Sequence, residues 1–311
     1  MKTHSSAHTF TSEKGTVVTI GTFDGVHIGH KKIIARLTES AQVNQWESVV
    51  LTFFPHPRML LQKDADIKLI NTITERGDLL EKLGLDHLVV HPFTIDFSRM
   101  HAEDFVEEIL VNALHAKKVI IGYDHRFGRN RTANIDDLKQ FGAQFGFEVE
   151  EISKQELEDV AVSSTKIRTA LHEGDIDKAN AYLGYPIMLE GNVVYGKSLG
   201  KKLGYPTANL HIQEDYKLIP GQGVYVVRSY IEGAIVYGMM NIGTNPTVGG
   251  VAQTIETYFF DFDSDLYGKR LSIEILCKIR SEQNFESVEL LIEAMKEDEI
   301  FSRTYIQSLK V

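Results

Sequence analysis

The chain of 311 residues contains one cysteine, Cys277, so no disulfide can form within it. Its stability must then come from a packed core, which fits a reducing compartment. No apolar run approaches the roughly 18–20 residues that span a bilayer, and the opening "MKTHSSAHTFTSEKG" lacks the apolar stretch of a signal peptide. An excess of basic residues is missing too. Lysine and arginine number 33 against 43 acidic residues, a net charge of −10, which argues against a general nucleic-acid or membrane-surface binder. Repeats and low-complexity tracts are absent. What remains is a chain with 43% hydrophobic residues, long enough for about two domains. The expectation is a soluble cytoplasmic protein, with residues 1–13 as a short mobile tail.

Up to residue 183, strand-like and helix-like segments alternate. The β-branched run 16–20 precedes a helical pattern at 28–42, with Ile33, Ile34 and Leu37 on one face. The near-continuous apolar run 48–54 suits a strand covered on both faces. Helical patterns at 74–84, 102–114 and 134–146 then alternate with strands at 86–93, 117–122 and 147–152. Such alternation predicts an α/β domain with a parallel, doubly wound sheet over residues 14–183. From 184 to 311 the texture changes to short strands between Gly, Asp and Asn turns, which predicts an antiparallel barrel. A closing helix follows over 284–309, with Val288, Leu291, Ile292 and Met295 on its apolar stripe.

The most informative stretch is "GTFDGVHIGH", Gly21 to His30, at the carboxyl end of the first apolar strand. Ligands bind doubly wound sheets at that edge. Backbone N–H groups at a strand-to-helix turn form an anion site, and Gly21 and Gly29 let the backbone approach a phosphate. His27 and His30 can donate to phosphate oxygens and stabilise charge on a leaving group. Asp24, Lys31 and Lys32 are candidate helpers. Zinc is a poorer reading, because helical zinc pairs need i,i+4 spacing and further ligands.

The string "HIGH" resembles the signature of the nucleotidyltransferase superfamily. The longer "GTFDGVHIGH" is similar to the bacterial bifunctional riboflavin kinase/FAD synthetase family. "LTFFPHPR" (51–58), "GYDHRFGR" (122–129) and "VSSTKIR" (162–168) resemble that family's motifs in its order. The resemblance implies that His27 and His30 contact nucleotide phosphates. It also implies that Gly21, Phe23, Asp24, Gly29, Asp124, Ser163, Ser164, Thr165 and Arg168 bind ATP or FMN. His125 stands where the family more often has phenylalanine.

In the second half, Gly191-Asn-Val-Val-Tyr-Gly196-Lys197-Ser198 fits the P-loop pattern letter for letter. A P-loop needs a helix after its serine, and Gly200, Gly204 and Pro206 argue against one. The longer "GNVVYGKSLGKKLGYPTANL" (191–210) is instead similar to the riboflavin kinase signature. It implies ATP and flavin binding by Gly191, Gly196, Lys197, Gly204, Pro206, Thr207 and Asn209. Thr207 and Asn209 supply hard oxygens suited to Mg²⁺ held jointly with ATP. In the 255–268 segment, Glu256 takes the position of the family's catalytic base, and Arg280 matches an arginine near flavin and nucleotide.

The resemblance covers residues 14–308. It implies a Rossmann-like FMN adenylyltransferase domain followed by a six-stranded riboflavin kinase barrel with a C-terminal helix. Riboflavin, ATP, FMN and FAD are then the partners, with flavin as substrate and product, no nucleic acid or membrane, and a monomer or weak homo-oligomer. An aminoacyl-tRNA synthetase would share "HIGH" but needs a KMSKS-like lysine loop and an RNA-binding surface, and the sequence shows neither. A non-catalytic flavin-binding regulator would bind flavin without turning over ATP, and no DNA-binding module is visible.

Overall fold

A computed structural model describes residues 1–62, 67–123, 125–153, 162–196, 200, 203–247 and 250–309. The chain divides into two compact units, Met1–Ser164 and Thr165–Val311.

The first unit is built on six parallel strands: β1 (Lys2–His4), β2 (Thr16–Ile20), β3 (Glu47–Phe54), β4 (His87–Pro92), β5 (Ala116–Gly122) and β6 (Glu148–Ile152). Their spatial order is β1-β4-β3-β2-β5-β6. The chain leaves β2 toward β3 and β4, then returns to add β5 and β6 on the other side. The order therefore reverses beside β2, the place where such sheets open a ligand crevice.

Alternation along the strands decides which residues meet which layer. Val18, Ile20, Val49, Leu51, Val119 and Ile121 join one core cluster with Phe105, Ile109, Leu110 and Leu138. The intervening Val17, Val50 and Ile120 are also buried, as are Ile34 and Leu37 of α1 (Ile28–Asn44), which packs on β2, β3 and β5. The other α-helices among the described residues of this unit are α2 (Pro57–Leu61), α3 (Ile73–Lys82), α4 (Ile95–Ser98), α5 (Ala102–Asp104) and α6 (Ile135–Phe145).

Two segments differ from expectation. Residues 1–13 are not a loose tail. Lys2, Thr3 and His4 pair in parallel with His87, Leu88 and Val89 at the sheet edge, and Ala7 and Phe10 are buried. The Ala7 N–H donates to His91 Nδ1 at 3.1 Å, and His4 Nε2 meets His87 Nδ1 at 3.0 Å. The helix expected at 102–114 becomes a π-helix after α5, over Phe105–Ala113. Its wider turn brings Phe105, Ile109, Leu110 and Leu114 onto the core, all of them buried.

The second unit is a closed barrel ordered β10-β11-β8-β7-β12-β9. Its strands are β7 (Met188–Val194), β8 (Ala208–His211), β9 (Gly223–Ile231), β10 (Ala234–Thr247), β11 (Gly250–Phe259) and β12 (Arg270–Arg280). The change of texture expected between 183 and 184 falls later than the division of contacts, because α7 (Ser164–Glu173) and α8 (Ile176–Leu183) dock on the barrel. The Gly221 N–H donates to the Leu171 carbonyl at 2.8 Å. Asn180 donates through Nδ2 to the Ile275 carbonyl at 2.9 Å, and its Oδ1 accepts the Ile187 N–H at 2.8 Å.

The closing helix α9 (Val288–Ser308) is capped by Ser287, which accepts the Leu290 N–H at 3.3 Å. Its apolar stripe is core only in part: Met295 packs against the barrel cluster of Val224, Val226, Met239 and Ile306. Val288, Leu291 and Met295 line a cavity, whereas the residues it buries are Asp298, Ser302 and Ile306.

Candidate active sites

At the carboxyl end of β2, the chain turns through Phe23, Gly25 and Val26 with φ of 47°, 88° and 35°. Two of these are non-glycine residues in the left-handed region, a strained turn held by its surroundings. Asp24 supplies part of that hold. Its carboxylate is 1% exposed, accepts the Ile70 and Asn71 N–H groups at 3.2 Å each, and pairs with Arg76 Nη2 at 3.4 Å. Its backbone carbonyl accepts the Ser164 hydroxyl at 2.9 Å. The structure thus spends the Asp24 side chain on anchoring the turn.

The turn delivers two imidazoles to the start of α1. His27 is the N-cap, and its Nδ1 accepts the His30 N–H at 3.3 Å. In the neutral ring, that bond leaves the proton on Nε2, which is then a donor. The His27 and His30 rings stack at 3.6 Å between centroids, and Phe23 lies 5.0 Å from His30. A Cβ on Gly29 would stand 3.2 Å from the His27 ring. Gly29 therefore clears room for the imidazole, where the sequence suggested room for nucleotide.

Burial lowers the His27 pKa to about 4, with Asp24 opposing, and burial beside His27 and Arg76 holds His30 well below 6.5. Both are neutral at pH 7. His30 Nδ1 is buried without a hydrogen-bond partner among the described residues. This is a pair of neutral N–H donors at a helix N-terminus, suited to phosphate oxygens.

The other expected residues of this site fall as follows. Gly21 follows β2, and Ser163 and Ser164 end the first unit; Thr165 and Arg168 lie on α7 in the second. Asp124 lies outside the described residues. In the 51–58 motif, His56 caps α2 by accepting the Arg58 N–H on Nδ1 at 3.1 Å.

In the barrel, β8 and β11 pair so that Asn209 stands opposite Glu256. The Thr207 hydroxyl donates to Glu256 Oε2 at 3.1 Å. Thr207 and Glu256 edge a cavity of about 550 Å³ that Asn241, Arg280, Phe285 and Asp298 also help to line. Arg280 faces it with its guanidinium paired to Asp298 at 2.8 Å. Gly191 lies within β7, as a kinase-type loop allows and a P-loop does not. The backbone at Gly200 is helical, against expectation, and the Leu203 N–H reaches the Gly200 carbonyl at 3.0 Å. Gly204 follows with φ of 87°, and Pro206 is exposed. Lys197 lies outside the described residues.

Comparison with known proteins separates the two units in the same sense. A family model described as FAD synthetase matches residues 9–166, and one described as riboflavin kinase matches residues 183–306. A bifunctional riboflavin kinase/FMN adenylyltransferase of Listeria monocytogenes is 36% identical over 316 residues, covering all of both chains. The chain belongs to the bifunctional riboflavin kinase/FMN adenylyltransferase family. The relative from Haemophilus influenzae is 35% identical, with 95% of this chain and 96% of that one covered. A solved structure, named as a macrolide-efflux protein of Streptococcus pneumoniae, superposes with a TM-score of 0.88 at 31% identity. It covers 97% of this chain and 98% of that one. No helix among the described residues here is long and apolar enough to cross a membrane.

The chain is accordingly an enzyme with riboflavin kinase and FMN adenylyltransferase activities, and flavin is its substrate and product. The structure brings His27 to His30, and Thr207 and Asn209 to Glu256. Sequence reasoning missed Arg76, which secures Asp24, and Asp298, which secures Arg280. For Arg76 a signal existed. Thr72 and Glu75 form a capping box, with Thr72 N–H to Glu75 Oε2 at 2.9 Å and Glu75 N–H to Thr72 Oγ1 at 3.1 Å. That box fixes the start of α3 and puts Arg76 in its first turns.

Two expected outcomes arise here. A Cβ at Gly196 would lie 2.3 Å from Asn209 Nδ2 and 2.6 Å from its Oδ1. Gly196→Ala must therefore push the Asn209 amide aside, and a displacement near 1 Å can cost about a hundredfold in rate. We expect kinase activity to fall by that order while adenylylation of supplied FMN continues. Wild-type FMN formation by the variant would show that Asn209 needs no fixed place.

The second outcome concerns acid. Burial holds His91, like His27, near a pKa of about 4. Between pH 4 and 6.5 the unfolded chain then binds more protons than the folded one, so stability present above 6.5 is lost as pH falls. From pH 7 to 5 each histidine costs about 2 kcal/mol. The urea midpoint of the first unit should fall across that interval; an unchanged midpoint would contradict these burials.

Proposed function

We propose that the enzyme makes FAD in two steps at two separate sites, with the roles that follow. In the barrel, the ribityl 5′-hydroxyl of riboflavin attacks the γ-phosphorus of ATP. Glu256 takes the hydroxyl proton, the bond from phosphorus to ADP breaks, and FMN forms. In the first unit, an FMN phosphate oxygen attacks the α-phosphorus of a second ATP, and pyrophosphate leaves. FMN already carries an anionic oxygen, so no protein nucleophile is needed. His27 and His30 donate to the triphosphate as charge builds on the leaving group. Gly21, Phe23 and Ser164 shape the turn that presents them.

Magnesium fits the barrel donors. The Thr207 hydroxyl and Asn209 carboxamide are hard oxygen ligands beside the Glu256 carboxylate. The ion would be shared with ATP, whose phosphate oxygens complete its set of hard ligands. Bound Mg²⁺ would neutralise phosphate charge. The same reading has the enzyme acting in the cytoplasm, as a monomer or weak homo-oligomer.

The observation that carries the proposal is the stacked, neutral His27–His30 pair at the start of α1. Incubation of the full chain with riboflavin, ATP and Mg²⁺, followed by chromatography, should show FMN rising first and FAD after it. Accumulation of FMN with no FAD, even when FMN is supplied directly, would sink the adenylyl half.

A further inference from the structure

We propose that Asp298, on α9, is the positioning residue that holds Arg280 for phosphoryl transfer in the barrel. The inference rests on the reading that the barrel is the kinase site and that Arg280 stands near flavin and nucleotide there, within reach of a phosphate oxygen.

Asp298 is 4% exposed and lines the same cavity as Glu256 and Thr207. A buried carboxylate is costly unless fully paired. Here both oxygens are spent on one partner. Arg280 Nε donates to Oδ1 at 2.9 Å and Oδ2 at 3.2 Å, and Nη2 donates to Oδ2 at 2.8 Å. The Asp298 carbonyl accepts the Ser302 hydroxyl at 2.7 Å, which ties its turn of the helix.

The grip falls on one edge of the guanidinium. A guanidinium has five N–H donors in a planar fork. Asp298 takes one on Nε and one on Nη2, and the Ser281 carbonyl takes one on Nη1 at 3.3 Å. The Phe285 ring centroid lies 5.5 Å away, against one face of the plane. The remaining Nη donors are left for an anionic oxygen in the cavity, and the plane cannot rotate without breaking the Asp298 bonds.

The helix pattern points the same way. α9 lines the cavity with Val288, Leu291 and Met295, packs Met295 and Ile306 on the barrel cluster, and buries Asp298 and Ser302 as well. Covering the barrel accounts for Met295 and Ile306 but not for a buried carboxylate. That carboxylate is accounted for when α9 is also a wall of the site and Asp298 the anchor of its cation.

The test uses the full chain with four changes: Arg280→Ala, Asp298→Asn, Asp298→Glu, and Arg280→Ala with Asp298→Asn. Riboflavin phosphorylation is measured, with the urea midpoint of the barrel unit as the folding control in each preparation. A charge-assisted hydrogen bond lost from a reacting phosphate costs on the order of ten- to a hundredfold. Arg280→Ala should lower kinase kcat/KM by that amount, and Asp298→Asn by about tenfold.

The deciding readout is the double variant, which should be no slower than Arg280→Ala alone, because Asp298 acts only through Arg280. Asp298→Glu, which keeps the charge, should fall between wild type and Asp298→Asn. If the two losses multiply, or if Asp298→Asn runs at the wild-type rate while Arg280→Ala is slow, the positioning role is overturned and the Arg280 reading survives. Arg280→Ala at the wild-type rate overturns the Arg280 reading itself. Should Asp298→Asn fail to fold its barrel, Asp298→Glu decides: a kinase loss as large as that of Arg280→Ala overturns the proposal.

Discussion

Replacing His27 and His30 together by alanine is expected to abolish FAD formation while FMN production from riboflavin continues. The size of the effect follows from what the rings are. Both are held neutral by burial, so they offer N–H donors and no full charge. Removing one preorganised donor from a developing oxyanion typically costs about a hundred- to a thousandfold. Two such donors at one leaving group would bring the adenylyl step below detection.

The structural cost must be kept apart from this. His27 caps α1, and loss of a cap typically costs about 1 kcal/mol. His27→Asn is therefore the sharper single variant, since asparagine can cap the helix but cannot reproduce the stacked Nε2–H donor. We expect it to keep most of the folded stability and lose most of the adenylylation. Equal loss of kinase and adenylylation in folded protein would show that the imidazoles do not belong to one step alone. Full adenylylation in the double alanine variant would remove them from the mechanism.

Much of this site could be read from the chain because its chemistry is local. Strand β2, the turn and the first turn of α1 are contiguous from Thr16 to His30, so spacing alone brings the two histidines together. The parallel sheet was legible for a similar reason: each βαβ unit carries its own periodic pattern.

What escaped was long-range or very short. Asp24 looked like a ligand until Arg76, 52 residues on, and the 70–71 backbone were seen to occupy it. Asp298 pairs with Arg280 across 18 residues and between a helix and a strand. β1 has three residues and β8 four, too few for any period to register. The apolar stripe of α9 was visible, but no pattern tells a core from the wall of a cavity. The grouping of α7 and α8 with the barrel depends on Asn180 and Gly221 finding backbone partners in space.

Replacing Glu256 by glutamine should give the opposite phenotype: no FMN from riboflavin, and normal FAD from supplied FMN. Glu256 is half-buried on β11, opposite Asn209, and accepts the Thr207 hydroxyl on Oε2. Thr207 therefore occupies one oxygen of the carboxylate, and Oε1 is left to meet the ribityl hydroxyl. Glutamine preserves shape and can still accept from Thr207 through its carbonyl, but its amide cannot take a proton. General-base catalysis typically contributes about a hundred- to ten-thousandfold, so kcat should fall by that order with little change in KM for riboflavin. If KM rises instead and kcat holds, Glu256 binds the flavin and another group takes the proton. If the loss reaches adenylylation of supplied FMN as well, the two steps do not have separate machinery, and the assignment of one chemistry to each unit fails.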